Sequence, residues 1–184
     1  MGATPHLSGA VFLKNIEVFR EVVGSDVVDA ALEGLPGPVR AAYDGAVPVA
    51  WIEVEHIDAV YAAIARQADR ELYGLYREVV LEGVSRTLRT IWKMLLRLTT
   101  DKALVSRTPQ IYLKSHDTGR LDSRIVAPGH AEIDLLDWPD VPELRLHGVA
   151  NGIVATLTVA GREDVTIDWT RTDQGAHFKA RWKV

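Results

Sequence analysis

Cysteine is missing from this sequence altogether, and that one gap removes disulfides, thiol catalysis and Cys-based zinc or iron–sulfur sites together. Long apolar runs are missing too, so a membrane span is not expected. The first residues, Met1-Gly-Ala-Thr-Pro-His6, lack a basic stretch followed by an apolar one and do not read as a signal peptide. A soluble, cytoplasmic protein is the resulting expectation. No repeat, low-complexity tract or long linker divides the 184 residues, which suits one domain with a real hydrophobic core. Chemical motifs are also lacking. There is no Gly-x-Ser-x-Gly elbow, no phosphate loop and no dinucleotide glycine pattern. His116-Asp117 and His130-Ala-Glu132 carry metal-capable groups without the spacing that gathers ligands on one helix face. No catalytic residue, metal site or cofactor is expected, and the chain does not read as an enzyme.

What is present is an order of patterns: helical periodicity over 9–107, then hairpin, helix and hairpin over 119–184. Apolar residues recur at helical spacing through Phe12, Ile16, Phe19 and Val23 up to Gly24. Ser25 is placed to cap a second helix carrying Val28, Ala31 and Leu32, and a short helical piece follows at Val39–Tyr43. Ile57, Val60, Tyr61 and Ile64 mark a longer helix beginning near Ile52. Leu72 to Val84 and Leu88 to Leu98 read as two more helices, or as one kinked near Gly83. Asp101 is placed to cap a helix over Lys102–Arg107, which Pro109 helps to end.

The period then changes to two. Leu121, Ser123 and Ile125 alternate with polar residues, and Ala127-Pro-Gly-His130 turns the chain toward Ile133 and Leu135. Leu146, Val149, Ile153 and Leu157 return to helical spacing. Val165, Ile167 and Trp169, with Phe178, Ala180 and Trp182, form the clearest β pattern around Asp173-Gln-Gly175. The fold class expected is α/β of the α+β kind, an N-terminal helical block packed on a C-terminal antiparallel sheet.

Charge is uneven. Nine Lys or Arg between Arg86 and Arg124 stand against three Asp, so this segment is basic in a chain of net charge −4. Arg86, Arg89, Lys93 and Arg97 fall on one helical stripe that could meet an anionic partner. A solvated face opposite Leu88, Ile91, Leu95 and Leu96 is the stronger reading of that stripe. Nucleic acid is not an expected partner, because no aromatic residues alternate with the basic ones in a recognition motif. Trp51, Tyr61, Tyr76 and Trp92 lie on or beside the central helices and could line a pocket for a small apolar ligand. Core filling competes with that role and is favoured for aromatics in general. Trp138, in a loop between Asp137 and Pro139, is instead expected at an interface.

Gly9-Ala-Val-Phe12, the run of helices, the segment Leu146-His-Gly-Val-Ala-Asn-Gly152 and the Trp-ended hairpin together resemble a paralogous bacterial family abundant in myxobacteria. That family is similar in fold to haem–NO-binding (H-NOX) domains, to the 4-vinyl reductase domain and to core subunits of the TRAPP tethering complex. The resemblance implies a ligand-binding fold of helices on an antiparallel sheet. It implies no reaction. H-NOX proteins hold the haem propionates with Tyr-x-Ser-x-Arg; here Tyr112-Leu-Lys-Ser115 has the wrong spacing and no Arg in place. His56 and His147 are the candidates for an axial ligand. Two functions follow as expectations: a small-molecule-binding sensory or regulatory domain, or a TRAPP-like homodimeric scaffolding subunit without a ligand. The apolar surplus on Leu72–Val84 and Leu88–Leu98 supports a homodimer in either case.

Overall fold

The computed structural model describes residues 4–88 and 99–183. Its backbone gathers into two compact units, Met1–Val79 with Ser115–Asp117, and Val80–Lys114 with Thr118–Val184. The sequence suggests one domain over 1–184; the division found here falls inside a helix, between Val79 and Val80.

In the first unit a three-residue strand β1 (His6–Ser8) leads into α1 (Gly9–Val23), α2 (Ser25–Glu33) and α3 (Gly37–Asp44). A second short strand β2 (Trp51–Glu53) opens α4 (Val54–Gln67), and α5 (Leu72–Leu88) follows. β1 and β2 pair antiparallel, Leu7 opposite Ile52. On its other side β1 takes residues 115–117: Ser8 N–H donates to Ser115 O at 2.8 Å, and His6 Nδ1 meets Asp117 Oδ2 at 2.8 Å. Gly9 is required where α1 starts, because a Cβ there would lie 2.1 Å from the Val47 carbonyl oxygen. Apolar periodicity then buries Phe12, Ile16 and Phe19 of α1 with Ile57, Val60, Tyr61 and Ile64 of α4.

Two caps differ from the sequence expectation. Ser25 is the first residue of α2 and makes no capping hydrogen bond; Gly24, at φ +96°, joins α1 to α2. The helix begun near Ile52 starts two residues later, since Trp51–Glu53 pair as a strand first. α5 runs unbroken through Gly83 to Leu88, and the expected helix over Leu88–Leu98 lies outside the described residues beyond that point.

The second unit carries α6 (Asp101–Val105), α7 (Thr108–Leu113), β3 (Arg120–Ala127), β4 (His130–Leu136), α8 (Glu143–Val159), β5 (Glu163–Thr172) and β6 (Gly175–Lys183). Four strands form one antiparallel sheet in the order β3-β4-β6-β5, so α8 carries the chain past β6 to the far edge. Hairpin, helix and hairpin stand where the sequence pattern places them, and the fold is α+β. Thr100 caps α6, accepting from Ala103 N–H, so Asp101 is released for another task. Pro109 does not follow a helix longer than Val105; it sits in the first turn of α7, where a missing N–H is harmless. The inner face of the sheet, with Leu121, Ile133, Leu135, Phe178, Ala180 and Trp182, is buried, and α8 packs against β5 and β6. Trp138 is also buried, at 6% exposure, its N–H donating to Gln174 O. The expectation of an interface residue is corrected here: the turn after β4, with Asp137 at φ +63°, folds the indole inward.

Candidate functional site

Four aromatic positions are the sequence's candidate pocket, and the structure brings two of them, Tyr61 and Tyr76, together. Tyr61 of α4 is fully buried at the centre of a ring cluster, with Phe12, Phe19 and Tyr76 at centroid distances of 5.9, 5.1 and 5.3 Å. Asn15 Nδ2 donates to the Tyr61 hydroxyl at 3.0 Å, so the one polar atom at the cluster's centre is satisfied. Tyr76 is buried as well. Trp51 sits on β2 with its side chain half-exposed, and no ring contact is found for it among the described residues. Trp92 lies outside the described residues.

Near Trp51 the loop before β2 exposes apolar surface: Val49 is 90% exposed and Val47 about half. In the second unit Ile111, Leu113 and Val126 are exposed. Of the basic stripe, Arg86 Nε donates to Glu82 across one helical turn at 2.8 Å, while Arg89, Lys93 and Arg97 fall in 89–98, outside the described residues.

The outer face of the sheet carries a charged cluster. Arg124 on β3 bridges Glu132 and Asp134 on β4 at 2.5 and 2.9 Å, and His177 Nδ1 on β6 meets Asp134 Oδ1 at 2.5 Å. Burial pushes the Asp134 carboxyl up, yet the hydrogen bonds from His177 and Arg124 hold it below the ordinary aspartate range. No group of three His, Cys, Asp or Glu suited to a metal ion occurs among the described residues. Elsewhere in this unit Arg162, only 12% exposed, donates to Asp101 Oδ1 at 2.6 Å, Thr99 O at 2.7 Å and Ala160 O at 2.6 Å, and Asp101 Oδ2 accepts from Trp182 Nε1.

One feature of α8 was not legible as a site in the sequence. Asn151 is buried, and its Nδ2 has no hydrogen-bond partner. On the same helix the His147 ring meets Trp169 of β5 edge-on, with centroids 5.8 Å apart.

The chain's known likenesses are structural. No protein-family model matches the sequence, and no curated protein does. Among solved structures it is similar to a mutant H-NOX protein from K. algicida in its Fe(II) unliganded form, with a TM-score of 0.72 at 10% identity over 96% of this chain and 97% of that one. An oxygen-binding H-NOX domain related to soluble guanylate cyclases, in its oxygen complex, matches at 0.66 and 14% identity, covering 96% and 95%. A protein in which porphyrin distortion modulates haem redox potential matches at 0.66 and 15%, covering 96% and 99%. The fold of this chain is the H-NOX fold.

Haem is therefore the group that the fold brings into question, and half of the His that could hold its iron are engaged elsewhere. Haem iron is held by an axial side chain, His in many proteins. All six His are among the described residues. His6 and His177 are taken by Asp117 and Asp134, and His116 by the Ser115 hydroxyl. His147 packs edge-on against Trp169, and His130 opens β4 on the side of the charged outer face, with a buried Nε2 that has no hydrogen-bond partner among the described residues. His56 lies in the first turn of α4, half-buried between Glu55 and the buried Ile57. The Tyr112 hydroxyl, a candidate propionate partner, already donates to Thr118 O at 2.7 Å.

Proposed function

We propose that this chain is a cytoplasmic, non-catalytic, small-molecule-binding sensory or regulatory domain that uses the H-NOX fold for a ligand other than haem. The likeness to H-NOX domains along 96% of the chain carries this reading. The resemblance to the myxobacterial paralogous family, and to 4-vinyl reductase and TRAPP core-subunit domains, is consistent with it. No nucleophile elbow, phosphate loop or paired-His metal motif occurs in the sequence, so binding accounts for the chain better than chemistry does. Tyr61 and Tyr76, with Trp51 and Trp92, remain the proposed aromatic lining. Ligand bound to the native state raises its melting temperature by mass action. Protein purified from its own host should then melt several degrees above the same protein refolded from denaturant and dialysed. Equal melting temperatures would defeat the reading.

A TRAPP-like homodimeric scaffold is the alternative. The exposed Val47, Val49 and Trp51 are the observation in its favour, since a contiguous apolar surface is what an isologous interface covers. The stripe of Arg86, Arg89, Lys93 and Arg97 is proposed as the place where an anionic partner would meet either form. No helix among the described residues is long and apolar enough to cross a membrane.

A further inference from the structure

β5 (Glu163–Thr172) is an edge strand: it pairs with β6 on one side, and no strand lies on the other among the described residues. The opposite edge of the sheet is covered. There Ser123 of β3 donates its hydroxyl to Val105 O at 2.8 Å, and α6 and α7 pack beside the strand. The register shows which backbone groups of β5 are free. Trp182 of β6 turns its N–H to Gly129, away from β5, so its alternate neighbours Arg181, Lys179 and His177 face β5. Their partners Thr166, Asp168 and Thr170 bond to β6, which leaves the N–H and C=O of Ile167, Trp169 and Arg171 directed outward. A bare edge is a template for another strand, and proteins that resist such pairing use Pro, Lys or a bulge there. β5 has neither Pro nor Lys. Its one bulge lies between Glu163 and Thr166, with Asp164 at φ +52°, and the strand is regular from Thr166 to Thr172.

This edge is complementary to itself. An antiparallel copy with Ile167 opposite Ile167 sets Val165 against Trp169 and Thr166 against Asp168. It also brings Arg171 across from the acidic pair Glu163–Asp164, twice by symmetry. Arg171 is exposed and donates from Nη1 to Val141 O at 2.8 Å, which leaves other donors of its fork for a carboxylate. Centring one residue later would oppose Asp168 to Asp168, and centring on Trp169 would set Arg171 against Ile167. We propose that two copies of this chain join β5 to β5, antiparallel about Ile167, so that two four-stranded sheets become one of eight. This pairing goes beyond the ligand-binding reading and does not depend on it.

Sedimentation equilibrium of the intact chain at micromolar concentration should give the mass of two chains. Arg171→Glu should weaken the dimer about tenfold, and Glu163→Arg should weaken it in the same direction. An equimolar mixture of the two variants restores opposite charges at both ends and should associate more tightly than either alone. A second measurement uses the absence of Cys from the sequence. Ile167→Cys places the only two thiols of the dimer on Cα atoms about 5.5 Å apart, so mild oxidation should link the chains. Thr170→Cys puts its two copies roughly 20 Å apart in this register and should give no link. A monomeric intact chain would overturn the pairing. A dimer unmoved by either charge variant, or equal cross-linking from both Cys variants, would overturn it as well, since the contact would then lie elsewhere.

Discussion

Trp182, on β6, is only 7% exposed. Its N–H donates to Gly129 O, tying the last strand to the first hairpin of the sheet, and its indole nitrogen reaches Asp101. Trp182→Ala should therefore destabilise the protein by roughly 3–5 kcal/mol in denaturant unfolding, as for a core aromatic. A change below about 1 kcal/mol would mean that the indole is not packed. Asp134 makes a different prediction. His177 and Arg124 hold its carboxyl below the ordinary range, so the folded state favours the charged form. Stability from this group is present above the unfolded aspartate pKa near 4 and is lost as the pH falls through the lower folded value. Unfolding free energies measured from pH 6 down to 2 should fall more gently in Asp134→Asn than in the parent. Identical acid limbs would contradict the pairing.

At the scale of elements, the terminal hairpin and α8 owe their legibility to long apolar periods. Val165, Ile167 and Trp169 alternate over enough residues to fix both strand and face, and Leu146 to Leu157 hold helical spacing despite their β-branched members. β1 and β2 were beyond reach because three residues give no period; their pairing depends on residues 115–117, far away in sequence. The capping role assigned to Asp101 failed for a related reason. Thr100 caps as well, and Arg162, 61 residues on, claims the carboxylate. Arg162 joins the start of α6 to the turn after α8, and Arg162→Ala should cost roughly 2–3 kcal/mol after allowance for the part-exposed Asp101. A double-mutant cycle with Asp101→Ala measures the coupling directly, and additive effects would show that the two do not interact. The candidate site depends on side-chain partners, which periodicity does not show. Aromatic residues are conspicuous in a sequence, but Tyr61 is satisfied within its own cluster by Asn15. Asn151, set among small residues, resembles a close-packing position until its unmet donor is seen.

For the whole molecule, the H-NOX fold and the residues it carries pull in different directions. The fold aligns over nearly the full chain, while His6, His116 and His177 are held by hydrogen-bond partners and His147 packs on a tryptophan. Purified protein should be colourless, and added haemin should give no sharp Soret band; a band lost on substituting His56 or His147 would restore haem to the account. The most direct test of the central claim is native mass spectrometry of protein from its own host, recorded beside the denatured sample. The account predicts a native mass above the denatured chain, or above a multiple of it, by one small molecule per chain other than haem. A native mass equal to the bare chain, or to bare copies of it, would contradict the account.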